Sequence, residues 1–166
     1  TIERCLRIAL SNNELSLHYQ AVHDIQTGKV AGYETLMRWK SAELGDISPV
    51  AFIPVAEQAG LMTELGGWAI SQACQGASIL GGNMHVSVNL SASQFRSSGL
   101  LHLIESELKR HDVKPGRLIV EITETAALGN LQTSKDFSSA LRELGCGVAL
   151  DDFGAGYTSY RNLKEL

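Results

Sequence analysis

Cysteine is scarce in this sequence, and so are proline, aromatic residues and blocks of one charge. The three cysteines, Cys5, Cys74 and Cys146, lie far apart and are odd in number. That excludes a disulfide framework and fits no zinc-finger spacing; they read as small buried thiols in a reducing compartment. With 3 prolines and no low-complexity stretch, nothing marks an internal domain boundary. No apolar run reaches the roughly 20 residues of a membrane helix, and the opening TIERCLRIAL is amphipathic, unlike a signal peptide. Lysine and arginine total 14 against 18 acids, a net charge of −4 without a basic block. This argues against a DNA or RNA polymer as partner but leaves room for a local phosphate pocket. The expectation is a cytoplasmic domain, or the cytoplasmic part of a larger membrane-associated protein, with no membrane contact of its own.

What is present is an ordinary globular composition, 44% hydrophobic and 19% charged over 166 residues, enough for one domain or part of a larger one. Helical spacing at 2–11 gives way to alternation at 15–26 and, after Thr27-Gly28, at 30–39, which predicts an antiparallel pair. Ser48-Pro49 starts a helix through Gln58, and Thr63 opens another to about Leu80. Strands at 84–91, 117–124 and 147–154 then alternate with helices at 99–111 and 131–144. About five strands in this order are the grammar of an α/β fold. Length alone favours a doubly wound sheet, because an eight-stranded (β/α) barrel takes roughly 250 residues.

Four of these strands carry acidic or amide side chains: Glu34 in GYETLMRW, Asn89 in VSVNLS, Glu121 and Glu124 in VEITE, and Asp151-Asp152 in ALDDFG. Strand parity sets Val86, Val88 and Leu90 against Ser87 and Asn89. In the same way it sets Leu118, Val120 and Ile122 against Glu121, and Val148 and Leu150 against Asp151. Gathered carboxylates repel one another unless a cation or an arginine lies among them. A ligand set of hard oxygens, without Cys or His, selects Mg²⁺ or Mn²⁺ over zinc. The plainer alternative is that the acids pair with Arg38, Arg96 or Arg117, or are solvated. Trp39, Trp68, Phe52 and Phe95 read as packing residues, and the five histidines share no site-like spacing.

The stretches LHYQAV (17–22), GYETLMRW (32–39), SPVAFIPVAEQAGLM (48–62), VSVNLSASQF (86–95), LIVEITET (118–125) and ALDDFGAGYTS (149–159) occur in one order along the chain. Together they resemble the EAL family of cyclic-di-GMP phosphodiesterases and their inactive relatives. The resemblance implies a TIM-like (β/α)₈ barrel with an antiparallel first strand, of which about five strands are present, making residues 1–166 an incomplete EAL domain. It implies that Glu34, Asn89, Glu121 and Asp151 ligate metal, with Asp151 and Asp152 approaching a second Mg²⁺ or Mn²⁺. Glu124 matches the acid that steadies the loop DFGAGYTS, and Gln20 and Arg38 match positions that contact cyclic-di-GMP. The implied reaction is two-metal hydrolysis to linear pGpG. A homodimer and fusion to sensory or GGDEF-type domains are the implied assembly.

The sequence also departs from the family pattern. Thr35 replaces the signature alanine, Ala21 a common proline and Thr158 a common serine. The family's lysine on the following strand, and its later Glu and Gln motifs, have no counterpart here, so the chain is expected to be part of a longer enzyme. The alternative is a catalytically inactive cyclic-di-GMP receptor, or a regulatory dimerisation or scaffold module.

Overall fold

Alternating residues and a short turn build the first unit. In the computed structural model, which describes residues 1–97, 99–123, 127 and 129–151, β1 (Leu15–His23) pairs antiparallel with β2 (Val30–Ser41). Leu15 faces Trp39 and Gln20 faces Glu34. Asp24 Oδ1 accepts from the Thr27 N–H at 2.7 Å, and Gly28 takes a φ of 69°, a conformation that suits glycine. β2 extends past the expected 30–39 because β3 (Gly45–Ile47) folds back onto its end. That short hairpin is a correction to the sequence expectation; three residues, Gly-Asp-Ile, carry no readable alternation.

β4 (His85–Leu90), β5 (Leu118–Thr123) and β6 (Gly147–Asp151) continue the sheet. The order is β1-β2-β4-β5-β6, with β3 on β2, and every contact from β2 through β6 along this path is parallel. The parallel strands follow chain order without reversal. A doubly wound sheet reverses at its switch point, whereas successive strands are the wall of a (β/α) barrel.

Connecting or flanking these strands are α1 (Ile2–Ala9), α2 (Pro49–Gln58), α3 (Met62–Leu80), α4 (Leu100–Arg110) and α5 (Leu131–Leu144). Ser48 stands at the N-cap of α2, but its side chain makes no cap bond. The helix start therefore relies on Pro49, whose fixed φ suits the first turn. α5 has a working cap, Asn130 Oδ1 accepting from Thr133 N–H at 3.2 Å, and stops at Gly145 with φ 96°.

The apolar parity sets lie against helices. Val86, Val88, Leu90, Leu118, Val120 and Ile122 are all buried, against Ala69, Ile70, Ala73 and Ala77 of α3 and Leu141 of α5. Small residues on α3 let the helix approach the sheet closely, and each large aliphatic side chain contributes roughly 1.5–3 kcal/mol. A second cluster sets Trp39 edge-on to Phe52 at 5.6 Å with Leu6, Leu15 and Leu65. Phe95 stacks on Phe137 at 5.1 Å. Trp39, Phe52 and Phe95 are thus packing residues, and Trp68 is partly buried against both clusters.

Arg117 is committed to the fold. Its Nη2 donates to the carbonyls of Ala77 (2.6 Å) and Gly81 (3.0 Å), and its Nε to Met84 (2.9 Å). A cation therefore caps the C-terminus of α3 and ties it to the start of β5. Glu14 plays a comparable part beside β1, accepting from Trp39 Nε1 at 3.0 Å and from Ala42 N–H at 3.2 Å.

The Trp39 and Ala42 bonds hold the Glu14 carboxyl below its ordinary value of 4.5. A carboxylate with a depressed folded pKa stabilises above the unfolded pKa, and that contribution is lost as pH falls through the folded pKa. Glu14→Gln should therefore lower the melting temperature most above about pH 5. The gap to wild type should narrow steadily on acidification, as read by thermal melts across pH.

Candidate active site

Pleating turns a polar set onto the face away from the helices. Pairing aligns Gln20, Glu34, Ser87, Ile119 and Gly147 in one row. The next row contains Asn89, Glu121 and Ala149, and the next Thr123 and Asp151. The oxygen-bearing residues climb the rows from Glu34 through Asn89 and Glu121 to Asp151. This stagger matches the register shift of tilted barrel strands and brings these side chains toward one mouth.

Glu34 and Asn89 are in direct contact, with Asn89 Nδ2 donating to Glu34 Oε1 at 3.0 Å. A carboxylate can only accept, so the amide nitrogen must face it, and Asn89 Oδ1 remains an acceptor. Glu121 is half-buried, and its carboxyl is pushed above the ordinary range. Burial is the main cause; the charges of Glu34 and Asp151 add to it, while Ser87 opposes it. The part due to Glu34 and Asp151 is the repulsion expected of gathered carboxylates, and a hard divalent cation would offset it. The donor chemistry therefore fits Mg²⁺ or Mn²⁺. Among the described residues, no group of three or more His, Cys, Asp or Glu is arranged to hold a metal ion by itself. A cation held here would draw on the Asn89 amide oxygen as well.

A cavity of about 470 Å³ opens at this mouth, lined by Glu34, Arg38, Asn89, Asp151 and, on its apolar side, Ile53 and Met62. Arg38 shares the face of Glu34, and its Nη1 donates to the Met37 carbonyl at 3.0 Å. Gln20 lies opposite Glu34 on β1 and is exposed. Glu124, Asp152 and the loop at 153–159 lie outside the described residues, as does the Arg96 side chain. Among the described residues, no ion pair joins Arg38 or Arg117 to Glu34 or Glu121. The plainer pairing alternative therefore fails for those two arginines toward Glu34 and Glu121.

A family model for the EAL domain matches residues 3–166. The chain belongs to the EAL domain family. It is 38% identical over 165 residues to the bifunctional diguanylate cyclase/cyclic di-GMP phosphodiesterase MucR of Pseudomonas aeruginosa, covering 97% of this chain and 24% of that protein. It is 39% identical to the signaling protein YkoW of Bacillus subtilis, covering 98% of this chain and 21% of the relative. Among solved structures, it is similar to the MucR phosphodiesterase in complex with c-di-GMP, with TM-score 0.93 and 37% identity over 99% of this chain and 68% of that one. The FimX EAL domain from Pseudomonas aeruginosa bound to c-di-GMP gives TM-score 0.90 at 26% identity, covering 99% of this chain and 67% of that one. The fold is thus a partial TIM-like barrel. The chain spans about a quarter of the curated relatives it matches.

The altered EAL signature has a structural consequence that parity alone does not reveal. Thr35 points away from Glu34, as parity indicates, and is buried. Its hydroxyl donates to the Ser87 carbonyl at 2.7 Å, a bond from β2 to β4 beside the Glu34–Asn89 contact. The hydroxyl is therefore satisfied and adds a side-chain bond between neighbouring strands. Gln94, within VSVNLSASQF, carries a signal of its own in the sequence. Ser91 and Gln94 have the S-x-x-Q spacing of a capping box, and Gln94 Oε1 accepts from Ser91 N–H at 2.9 Å.

Thr35→Val keeps the side chain's shape and removes its hydroxyl. The unfolding free energy from a denaturant titration should fall by about 1 kcal/mol, and Thr35→Ser should recover most of it.

Proposed function

We propose that this EAL domain is part of a metal-dependent cyclic-di-GMP phosphodiesterase that opens its substrate to linear pGpG. The observation that carries this reading is the convergence of Glu34, Asn89, Glu121 and Asp151 on one face at one mouth, with Asn89 bonded to Glu34. Glu34, Asn89, Glu121 and Asp151 would hold the first cation, and Asp151 with Asp152 the second. Bound there, Mg²⁺ or Mn²⁺ would acidify a water and stabilise a leaving 3′-oxygen.

The chain's own residues supply placement. Arg38 stands at the same mouth and offers a planar guanidinium to a phosphodiester. Gln20 faces Glu34 from the antiparallel strand and can donate or accept at a polar edge of the ligand. The apolar side of the cavity, at Ile53 and Met62, suits a flat base and excludes water from that flank. Glu124 is assigned to steadying the loop that begins at Asp152. Homodimerisation and attachment to sensory or GGDEF-type domains belong to the same proposal, as does a cytoplasmic setting. Among the described residues, no helix is long and apolar enough to cross a membrane.

The full-length protein, supplied with Mn²⁺ and cyclic-di-GMP, should release pGpG and stop when the metal is chelated. Glu34→Ala should lower kcat/KM by at least about 100-fold, since even outer-shell partners of a metal are worth 10–100-fold. Arg38→Ala should act mainly on KM. Micromolar cyclic-di-GMP binding in calorimetry, with no product by chromatography, would replace this reading with that of a receptor.

A further inference from the structure

Gln94 is a polar side chain only 1% exposed, on the turn (Gln94–Arg96) that follows β4. It closes that turn twice. Its Oε1 accepts from Ser91 N–H at 2.9 Å, and its own backbone N–H donates to the Ser91 carbonyl at 3.1 Å. The amide's other end has a different role. Among the described residues Nε2 has no hydrogen-bond partner, and it lies directly over Gly66 of α3. A Cβ at Gly66 would collide with Nε2 and come within 2.8 Å of Cδ. α3 therefore has a glycine-sized seat where the Gln94 amide rests.

This seat borders the active-site cavity, since Gly66 and Gln94 line it together with Glu34, Asn89 and Asp151. Asn89 is exposed and lies two residues before Ser91, the residue that Gln94 holds. Phe95, next in sequence, is stacked on Phe137 of α5. The turn is thus fixed to α3 on one side and α5 on the other. An apolar side chain of similar length could fill the seat without burying an amide, but it could not accept the Ser91 N–H.

We propose that Gln94, seated on Gly66, is a positioning residue for Asn89. It sets the height of the β4 exit turn, and so the place from which the Asn89 amide reaches Glu34 and a bound cation. This inference rests on the metal-dependent reading above.

The test is calorimetric titration of Mn²⁺ into the full-length protein, with turnover measured in parallel. Gln94→Met should weaken Mn²⁺ binding about tenfold, in the range of other outer-shell partners. Gly66→Ala should act in the same direction, because its methyl displaces the amide without altering its chemistry. The double variant should be no worse than the weaker single, since both act through one seat. Leu141→Val, a core change in α5, should lower the melting temperature and leave Mn²⁺ affinity unchanged. Gln94→Met or Gly66→Ala proteins that melt earlier yet bind Mn²⁺ within twofold of wild type would overturn the Gln94 assignment alone. A wild-type protein that binds no Mn²⁺ would overturn the metal-dependent reading and this role with it.

Discussion

A pleated strand cannot bury one residue behind the sheet without turning its neighbours to the other face. Everything distinctive about this domain depends on that coupling. Val86, Val88 and Leu90, then Leu118, Val120 and Ile122, are fixed against α3, α4 and α5 by burial. Their alternates, Asn89 and Glu121, have no choice of face. A slip of one residue in any strand would expose its apolar set and bury its carboxylate, so the hydrophobic core and the acidic mouth enforce the same register.

That coupling gathers like charges at a cost. Glu121 shows the consequence, a carboxyl held above its ordinary range by burial and by the neighbouring charges of Glu34 and Asp151. The fold tolerates the conflict because it is confined to one face, while the opposite face is apolar and closely packed. Sites of this kind trade local stability for chemistry, which is where local rules are expected to be broken. The supporting contacts are correspondingly specific. Asn89 donates to Glu34, and Thr35 ties β2 to the Ser87 carbonyl. Arg117 is occupied by three carbonyls around the end of α3.

Much of this was legible in the residues. The helix expected at 131–144 carries its own boundaries, because an Asn cap and a glycine mark its ends, and the alternation expected at 117–124 locates the strand Leu118–Thr123. The polar face of β4 and β5 follows from parity alone, and so does the outward turn of Thr35. β3 was not legible, since a three-residue strand exists only because β2 offers it an edge. The lack of a side-chain cap at Ser48, the partners of Arg117 and the seat of Gln94 on Gly66 were hidden for a related reason. Each depends on atoms brought together from distant parts of the chain.

The sequence by itself determined which residues alternate, hence which side chains share a face, and its ordered motifs pointed to the EAL family. Tertiary structure decided strand order, and with it a barrel wall over a doubly wound sheet, because neighbour identity is a long-range property that periodicity does not encode. It also decided how the rows stagger, so that Glu34, Asn89, Glu121 and Asp151 meet at one mouth from four strands. Parity is local and can be read along a chain; register between strands is set by packing against helices that the chain reaches only dozens of residues later.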